Sequence, residues 1–162
     1  MAVRLTDADI GRLLAERKSL PRGFKRAMNL RQKKGHREGE LIVKGVDGSE
    51  FILTLRQANL DPLAFSVILS YRLPGTNQIF RLRRYNGKNH EHTNKIESNK
   101  FREFHVHKAT ERYQESGFRE DGFAEPTDDF CDYAGAIERM MEQCAFEFPD
   151  DSDMPLPAAG TE

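Results

Sequence analysis

Two stretches of alternating apolar and polar residues flank a tight-turn signal, and this pattern constrains the fold more than any other feature of the chain. Residues 63–73 and 78–85 are rich in β-branched and aromatic side chains, and a Pro-Gly-Thr-Asn turn sequence joins them. Because side chains alternate across a strand, a turn at Gly75-Thr76 makes one face of this hairpin apolar. The predicted opposite pairs are Leu73–Gln78, Tyr71–Phe80, Leu69–Leu82, Arg72–Ile79, Ser70–Arg81 and Ile68–Arg83.

Three further strands are predicted from the same alternation, at residues 40–45, 50–57 and 101–108. The first two are joined at Asp47-Gly48, which is typical of a two-residue type I′ turn and would place Ile42 opposite Leu53.

Helices are predicted at both ends of this set of strands. Thr6 can cap a first helix, Phe24 lies in a short basic helix, and Thr127 can cap a helix that ends at Cys144. The sequence therefore predicts one α+β domain over residues 1–148, with a five-stranded, largely antiparallel sheet, N-terminal helices and a C-terminal packing helix. Residues 149–162 are predicted to be an acidic disordered tail.

Composition excludes several classes of protein. The 162 residues are 38% hydrophobic and 31% charged, which is typical of a soluble domain. No apolar run approaches the length of a membrane span, and the N-terminus lacks the apolar core of a signal peptide. Two cysteines, Cys131 and Cys144, lie in one predicted helix, which excludes a disulfide scaffold and favours a reducing, cytoplasmic location.

Charge is divided unevenly along the chain, although the net charge is only −1. Residues 1–114 contain 23 Lys and Arg against 12 Asp and Glu, whereas residues 115–162 contain 2 against 14. This division is typical of nucleic-acid contact at the basic end, and equally of internal pairing between the two segments. The candidate nucleic-acid-binding residues are Arg22, Lys25, Arg26, Arg31, Lys33 and Lys34.

Four of the five histidines form two His-x-His pairs, one in the polar connection after residue 85 and one in the predicted strand 101–108. In that strand Phe104 and Val106 are expected to face the core, so the histidines face the other way. Imidazole and guanidinium groups are then expected on one open surface. The predicted catalytic residues on it are His90, His92, His105, His107, Arg81, Arg83 and Tyr85.

Three interpretations of these histidines stay open. The first is metal-free phosphodiester cleavage, in which a neutral imidazole accepts a proton, an imidazolium donates one and arginines stabilise the phosphate. The second is a zinc or other divalent-metal site at the two pairs, with Glu91 or Glu103 as a further ligand. The third is a set of exposed histidines on a polar face without any reaction. The leading hypothesis follows the first interpretation and needs no cofactor.

The run FRLRRYNGKNHEH followed by FHVHK resembles the TumE-like toxins of bacterial and archaeal toxin–antitoxin modules. The similarity covers Tyr71 to Lys108, less than a quarter of the chain. The resemblance implies a small RNA-directed toxin. Its matching positions are Arg83, Asn86, His90, His92, His105 and His107.

The leading functional hypothesis is therefore a ribonuclease-like protein of a toxin–antitoxin or host–phage conflict system. Its expected partners are RNA and an antitoxin or other protein, without a membrane. The alternative is a non-catalytic binding protein whose acidic helix and tail bind a basic partner, as a nucleic-acid mimic or inhibitor would.

Overall fold

The computed structural model describes residues 3–149, which form four helices and eleven strands. The helices are α1 (Asp7–Ala15), α2 (Phe24–Ala27), α3 (Glu111–Glu115) and α4 (Tyr133–Gln143). The strands are β1 (Lys18–Ser19), β2 (Arg31–Gln32), β3 (His36–Lys44), β4 (Glu50–Ala58), β5 (Phe65–Arg72), β6 (Ile79–Asn86), β7 (His92–Asn94), β8 (Asn99–Phe101), β9 (His105–Lys108), β10 (Ala124–Pro126) and β11 (Phe146–Glu147). The predicted tail, residues 149–162, lies outside the described residues from residue 150 onward.

Seven of these strands form one sheet in the order β10-β9-β6-β5-β4-β3-β2, with every neighbouring pair antiparallel. The predicted α+β class is confirmed, but the predicted count of five strands is wrong. The additional strands β2 and β10 lie at the two edges and contain two and three residues, too few to show an alternating pattern. Outside this sheet β1 pairs with β11 and β7 pairs with β8.

One face of the sheet carries the main core. Leu13 of α1, Phe24 of α2 and Ile137 of α4 belong to one buried cluster that also contains Leu53 and Leu69 of the sheet. Burial of such side chains stabilises the fold by about 25 cal/mol for each Å² of apolar surface removed from water. We call this the core face.

The opposite face of the sheet is partly open to solvent. Ile42 of β3 lies on it and is 48% exposed, although its cross-strand partner Ile52 is buried. We call this the histidine face, because His105 and His107 of β9 lie on it beside Asn86 and Arg84 of β6. Directly opposite residues of antiparallel strands point to the same side, so the strand register fixes this assignment.

The turn between β3 and β4 differs from the prediction by one residue. Ile42 pairs with Ile52 rather than with Leu53, because Gly45 and Ser49 are joined by a backbone hydrogen bond and three residues, 46–48, connect them instead of two. The Gly48 amide donates to the Gly45 carbonyl, and Gly48 has a φ of +95°. Gly48 is the last residue of this four-residue turn and has a left-handed backbone conformation. The loop is thereby one residue longer than predicted, which shifts the register.

A bulge in β6 makes the predicted register right for one half of the hairpin and wrong for the other. The pairs Tyr71–Phe80, Arg72–Ile79 and Ser70–Arg81 form as predicted. Between Leu69 and Ser70 the register shifts, so that Leu69 pairs with Arg83 and Ile68 pairs with Arg84. Leu82 is the extra residue of the bulge. From Arg83 onward, every side chain of β6 therefore points to the face opposite to the predicted one.

The C-terminal helix begins later than predicted. Asp132 caps α4 by accepting a hydrogen bond from the Gly135 amide. The predicted cap, Thr127, instead follows the edge strand β10 and accepts a bond from the Asp129 amide. A threonine hydroxyl that accepts a hydrogen bond from the amide two residues later forms a local turn. The sequence pattern of such a turn does not differ from that of a helix cap.

Lys18 lies between the C-terminal ends of α1 and α4 and is fully buried. Its Nζ donates hydrogen bonds to the carbonyls of Leu13 (2.9 Å), Leu14 (3.0 Å), Glu16 (2.8 Å) and Cys144 (2.7 Å). Burial lowers the pKa of Lys18 to about 8, so the ammonium stays charged at neutral pH. This cation satisfies carbonyls that the two helix ends leave without intrahelical partners.

Candidate metal centre

A small hairpin brings a third histidine to the two histidines of β9. The polar connection after β6 contains β7 and β8, and β7 begins with His92. The His92 ring lies 5.5 Å from that of His105 and 4.7 Å from that of His107, measured between centroids. The rings of His105 and His107 are 5.0 Å apart. The two His-x-His pairs therefore meet on the histidine face, as the metal-site interpretation requires.

One ring nitrogen of each β9 histidine is held by a backbone carbonyl. His105 Nδ1 lies 2.7 Å from the Glu103 oxygen, and His107 Nδ1 lies 2.8 Å from the Asp121 oxygen. A carbonyl only accepts hydrogen bonds, so both Nδ1 atoms must carry the proton. The Nε2 atom of each neutral ring is therefore left with a free lone pair, and His105 Nε2 is buried without a hydrogen-bond partner.

Asn94 determines the tautomer of His92. The Asn94 side chain forms two bonds with Ala124, in which its Nδ2 donates to the carbonyl (2.8 Å) and its Oδ1 accepts from the amide (2.8 Å). These bonds fix Oδ1 as an acceptor, and it lies 2.8 Å from His92 Nε2. His92 must then donate from Nε2, which leaves its Nδ1 free.

Three imidazoles, each bonded to the protein through one ring nitrogen, form the geometry of a metal centre. A ring nitrogen from each of His92, His105 and His107 lies within 4.8 Å of the others. Tetrahedral zinc with bonds of 2.0–2.1 Å requires about 3.3 Å between its ligand atoms, so the rings are near this spacing and must move inward to reach it. Metal-binding histidines usually donate their other N–H to a carbonyl or amide oxygen, and all three do so here.

Burial keeps the two β9 histidines uncharged. His105 is 0% exposed and His107 is 4% exposed, which contradicts the interpretation of exposed histidines on a polar face. Burial lowers the pKa of His105 to about 4, and burial together with the nearby Arg84 charge lowers the pKa of His107 to about 2. Neutral rings can bind a metal ion, whereas the imidazolium that the metal-free mechanism needs would have to come from a histidine outside β9.

A cavity of about 490 Å³ opens beside these histidines, and three cationic side chains line it: Lys95, Arg84 and Arg119. Arg84 lies directly opposite His107 in the strand register. Its guanidinium pairs with the fully buried carboxylate of Asp121 at 3.1 Å, and Arg119 pairs with the same carboxylate at 3.4 Å. The site thus combines three potential metal ligands with positive charge held at a fixed position.

The predicted arginines and tyrosine divide between the two faces of the sheet. Arg81 lies on the histidine face, since it precedes the bulge and pairs with Ser70. Arg83 and Tyr85 were predicted there but lie on the core face, where they pair with Lys108 and Val106 of β9. Their assignment to the histidine surface is therefore wrong, because the bulge reverses the side of each.

Tyr85 has a structural role in the core. It is 0% exposed, its hydroxyl donates to Gln143 Oε1 at 2.5 Å, and burial raises its pKa above the ordinary value.

The last of the predicted catalytic histidines, His90, lies at the edge of the site. It is exposed, its ring centroid is 5.9 Å from that of His105, and its Nδ1 lies 3.2 Å from Asn89 Oδ1. It lines the same cavity as His92 and His107 but is not part of the three-nitrogen cluster. Asn86, a position of the family resemblance, is buried directly opposite His105.

Of the basic residues predicted to bind nucleic acid, the one in the sheet, Arg31, lies far from this centre. Arg31 belongs to the edge strand β2, and four strands separate β2 from β9. At about 4.8 Å between neighbouring strands this separation is roughly 24 Å. Most of the predicted set is exposed, with Lys25 half-buried: Arg22, Lys25, Arg26, Arg31, Lys33 and Lys34.

Three residues that complete the site were not identified from the sequence: Arg84, Asn94 and Asp121. Arg84 was assigned to the wrong face because nothing in the local sequence marks the bulge. Asn94 and Asp121 act through hydrogen bonds and ion pairs with residues distant along the chain, such as Ala124 and Arg84. A polar side chain whose partners are distant in sequence leaves no periodic signal.

Within residues 3–149, none of the helices has both the length and the apolar character needed to cross a membrane. Comparisons of the chain with protein-family models, with curated proteins and with solved structures found no match, so the function of the centre has to be inferred from its geometry.

Proposed function

We propose that His92, His105 and His107 bind a divalent transition-metal ion such as zinc, and that this centre hydrolyses an anionic, phosphate-containing substrate. The convergence within 4.8 Å of a ring nitrogen from each of three histidines, whose rings are all hydrogen-bonded to the protein, carries this proposal. Three histidines are one of the ligand sets of catalytic zinc sites.

The position of the centre favours catalysis over a purely structural role. Structural zinc sites usually have four protein ligands, whereas catalytic ones have three and leave one position for water or substrate. Here two of the three histidines, His92 and His107, border a cavity of about 490 Å³, within the range of ligand-binding cavities. A bound ion would supply a Lewis acid and lower the pKa of its water.

The cationic side chains favour an anionic substrate. Arg84 is held by Asp121 beside His107, and its guanidinium has more donors than one carboxylate uses. A planar guanidinium fork matches the oxygens of a phosphate group. Lys95 and Arg119 add positive charge at the same cavity.

RNA is the first substrate to test. The family resemblance implies an RNA-directed activity, and the exposed basic residues near β2 are suited to phosphate contact. In this proposal His105 and His107 act as metal ligands instead of as a proton-transfer pair. The predicted ribonuclease function and the predicted toxin–antitoxin setting stay proposals.

Metal binding is tested by measuring zinc content and zinc affinity of the full chain. We expect one equivalent in the wild type and an affinity more than about 100-fold weaker in His92→Ala, since even loss of an outer hydrogen-bond partner costs 10–100-fold. His92 is half-buried on a small hairpin, so its variant should fold. His36→Ala is the matched control, because His36 lies on β3 outside the cluster. Failure of the wild type to bind zinc, or unchanged affinity in His92→Ala, would contradict the proposal.

Catalysis is tested by incubating RNA with the zinc-loaded wild type and with His92→Ala. We expect cleavage by the wild type, loss of cleavage after chelation, recovery when zinc is returned, and no cleavage by the variant. Cleavage that persists under chelation would instead support the metal-free mechanism. A zinc-loaded wild type that leaves RNA intact would remove RNA as the substrate while leaving the metal centre in place.

A further inference from the structure

A second cavity, of about 480 Å³, lies on the core-face side of the same two strands that carry the metal centre. Arg83 of β6 and Lys108 of β9 border it and are directly opposite each other in the register. Thr127, which follows β10, and Gln143 of α4 form further parts of its wall, together with two acidic residues, Glu125 and Asp129. It is therefore separated from the histidines by the thickness of the sheet.

Arg83 differs from the other cation of this cavity in having no counter-ion. Lys108 pairs with Glu125 at 2.5 Å. Arg83 has no carboxylate within ion-pair distance among residues 3–149, although Arg72 and Arg84 on neighbouring positions of the sheet each have one. A half-buried guanidinium without a counter-ion is unfavourable unless a ligand or solvent compensates it.

The hydrogen bonds of Arg83 are also incomplete. Its Nη1 lies 3.5 Å from the Tyr85 hydroxyl, at the outer limit of a hydrogen bond. Its Nε is buried and has no partner. The hydroxyl of Tyr85 is already committed to Gln143. The rigid, planar guanidinium of Arg83 therefore has N–H donors available beside the cavity.

We propose that this cavity binds a small oxyanion, a phosphate or carboxylate group, with Arg83 as its main ligand. A guanidinium pairs with either group through two parallel N–H···O bonds, which gives both charge neutralisation and a fixed orientation. The Thr127 hydroxyl and the Gln143 amide lie in the same wall and offer polar groups to the ligand. The site does not depend on the metal centre, because its residues lie on the other face.

The test is a titration of the full metal-free chain with inorganic phosphate and, separately, with acetate, at constant ionic strength. We expect saturable binding of at least one anion, and the anion that binds identifies the ligand as phosphate or carboxylate. In Arg83→Gln this binding should weaken at least about tenfold, since the lost bonds are charge-assisted. Arg81→Gln is the matched control: it lies on the same strand but on the histidine face, and it should keep the site.

Two results would overturn the proposal: no saturable binding of either anion by the wild type, or Arg83→Gln that binds as the wild type does. If phosphate also enters the cavity beside Arg84, the wild type shows two sites and Arg83→Gln loses one of them. If Arg83→Gln does not fold, Arg83→Lys is used instead. It keeps the charge but loses the planar fork, so weaker binding is still expected and unchanged binding contradicts the assignment.

Discussion

Asp121 is the residue on which two parts of the metal centre depend. Its backbone carbonyl accepts the Nδ1 proton of His107 and so fixes the ring tautomer. Its carboxylate is 0% exposed and pairs with Arg84 and Arg119. One buried residue therefore positions a metal ligand and a cation together.

Replacement of Asp121 should destabilise the protein far more than replacement of its outer partner. Asp121→Asn leaves the half-buried Arg84 without a buried counter-ion, so we expect a loss of about 3 kcal/mol or more in the free energy of unfolding. Arg119→Gln is the control, because the Arg119 side chain is 59% exposed and its loss should cost less than about 1 kcal/mol. Urea denaturation measures both, and equal losses would show that the buried pair has no special role.

At the scale of single residues, the histidines were identified from the sequence and their partners were not. The His-x-His spacing places both β9 side chains on one face of a strand, which is a local property. The contacts that fix the tautomers of the rings and orient them come from Glu103, Asp121 and Asn94. Two of these three partners use backbone carbonyls, and the sequence pattern does not show which carbonyl a ring will meet.

The hairpin of β7 and β8 is the element that completes the site. It supplies His92, and Asn94 joins it to the edge strand β10 through the two hydrogen bonds with Ala124. The sequence indicated only a polar connection with one His-x-His pair here, because its polar residues do not alternate in a way that indicates strands. Tertiary hydrogen bonds to β10 and the ring contacts with β9 determine its position instead.

Removal of Asn94 should weaken metal binding without removing a metal ligand. In Asn94→Ala, His92 loses the acceptor that fixes its tautomer, so we expect a 10–100-fold weaker zinc affinity by calorimetric titration. Asn89→Ala is the control, because Asn89 lies in the same connection and its side chain bonds the exposed His90. An Asn94→Ala variant with wild-type affinity would show that the hairpin positions His92 by other contacts.

At the scale of the whole molecule, Lys18 joins the two ends of the described chain. The ammonium contacts carbonyls at the end of α1 and the Cys144 carbonyl after α4, and β1 pairs with β11 beside it. Arg17 pairs with Glu147 at 3.5 Å in the same region. Basic N-terminal residues therefore contact the acidic C-terminal segment, which is the internal pairing that the uneven charge distribution allowed.

Lys18→Met should destabilise the whole fold. It keeps an unbranched side chain of similar length but leaves four carbonyl oxygens without their donor, so we expect a loss above about 3 kcal/mol in the free energy of unfolding. Lys44→Met is the control, because the Lys44 side chain is 71% exposed and its change should stay within about 0.5 kcal/mol. Denaturant midpoints measure both, and a mild effect at Lys18 would mean that water satisfies the carbonyls.

The fold class and five central strands were predictable because alternation and turn residues are local signals. Edge strands β2 and β10, the start of α4 and the buried position of Lys18 were not, since each depends on contacts between distant parts of the chain. Lys18 belongs to the basic part of the chain, yet it is fully buried.

The extra residue in β6 also affects how this chain should be aligned with other sequences. Leu82 shifts the strand by one position, so the arginine beside His107 is Arg84, and Arg83 lies on the other side. In a related protein without that insertion, the functionally equivalent arginine would occur one position earlier. An ungapped alignment would then match residues with different surroundings. A gap of one residue should therefore be placed opposite Leu82.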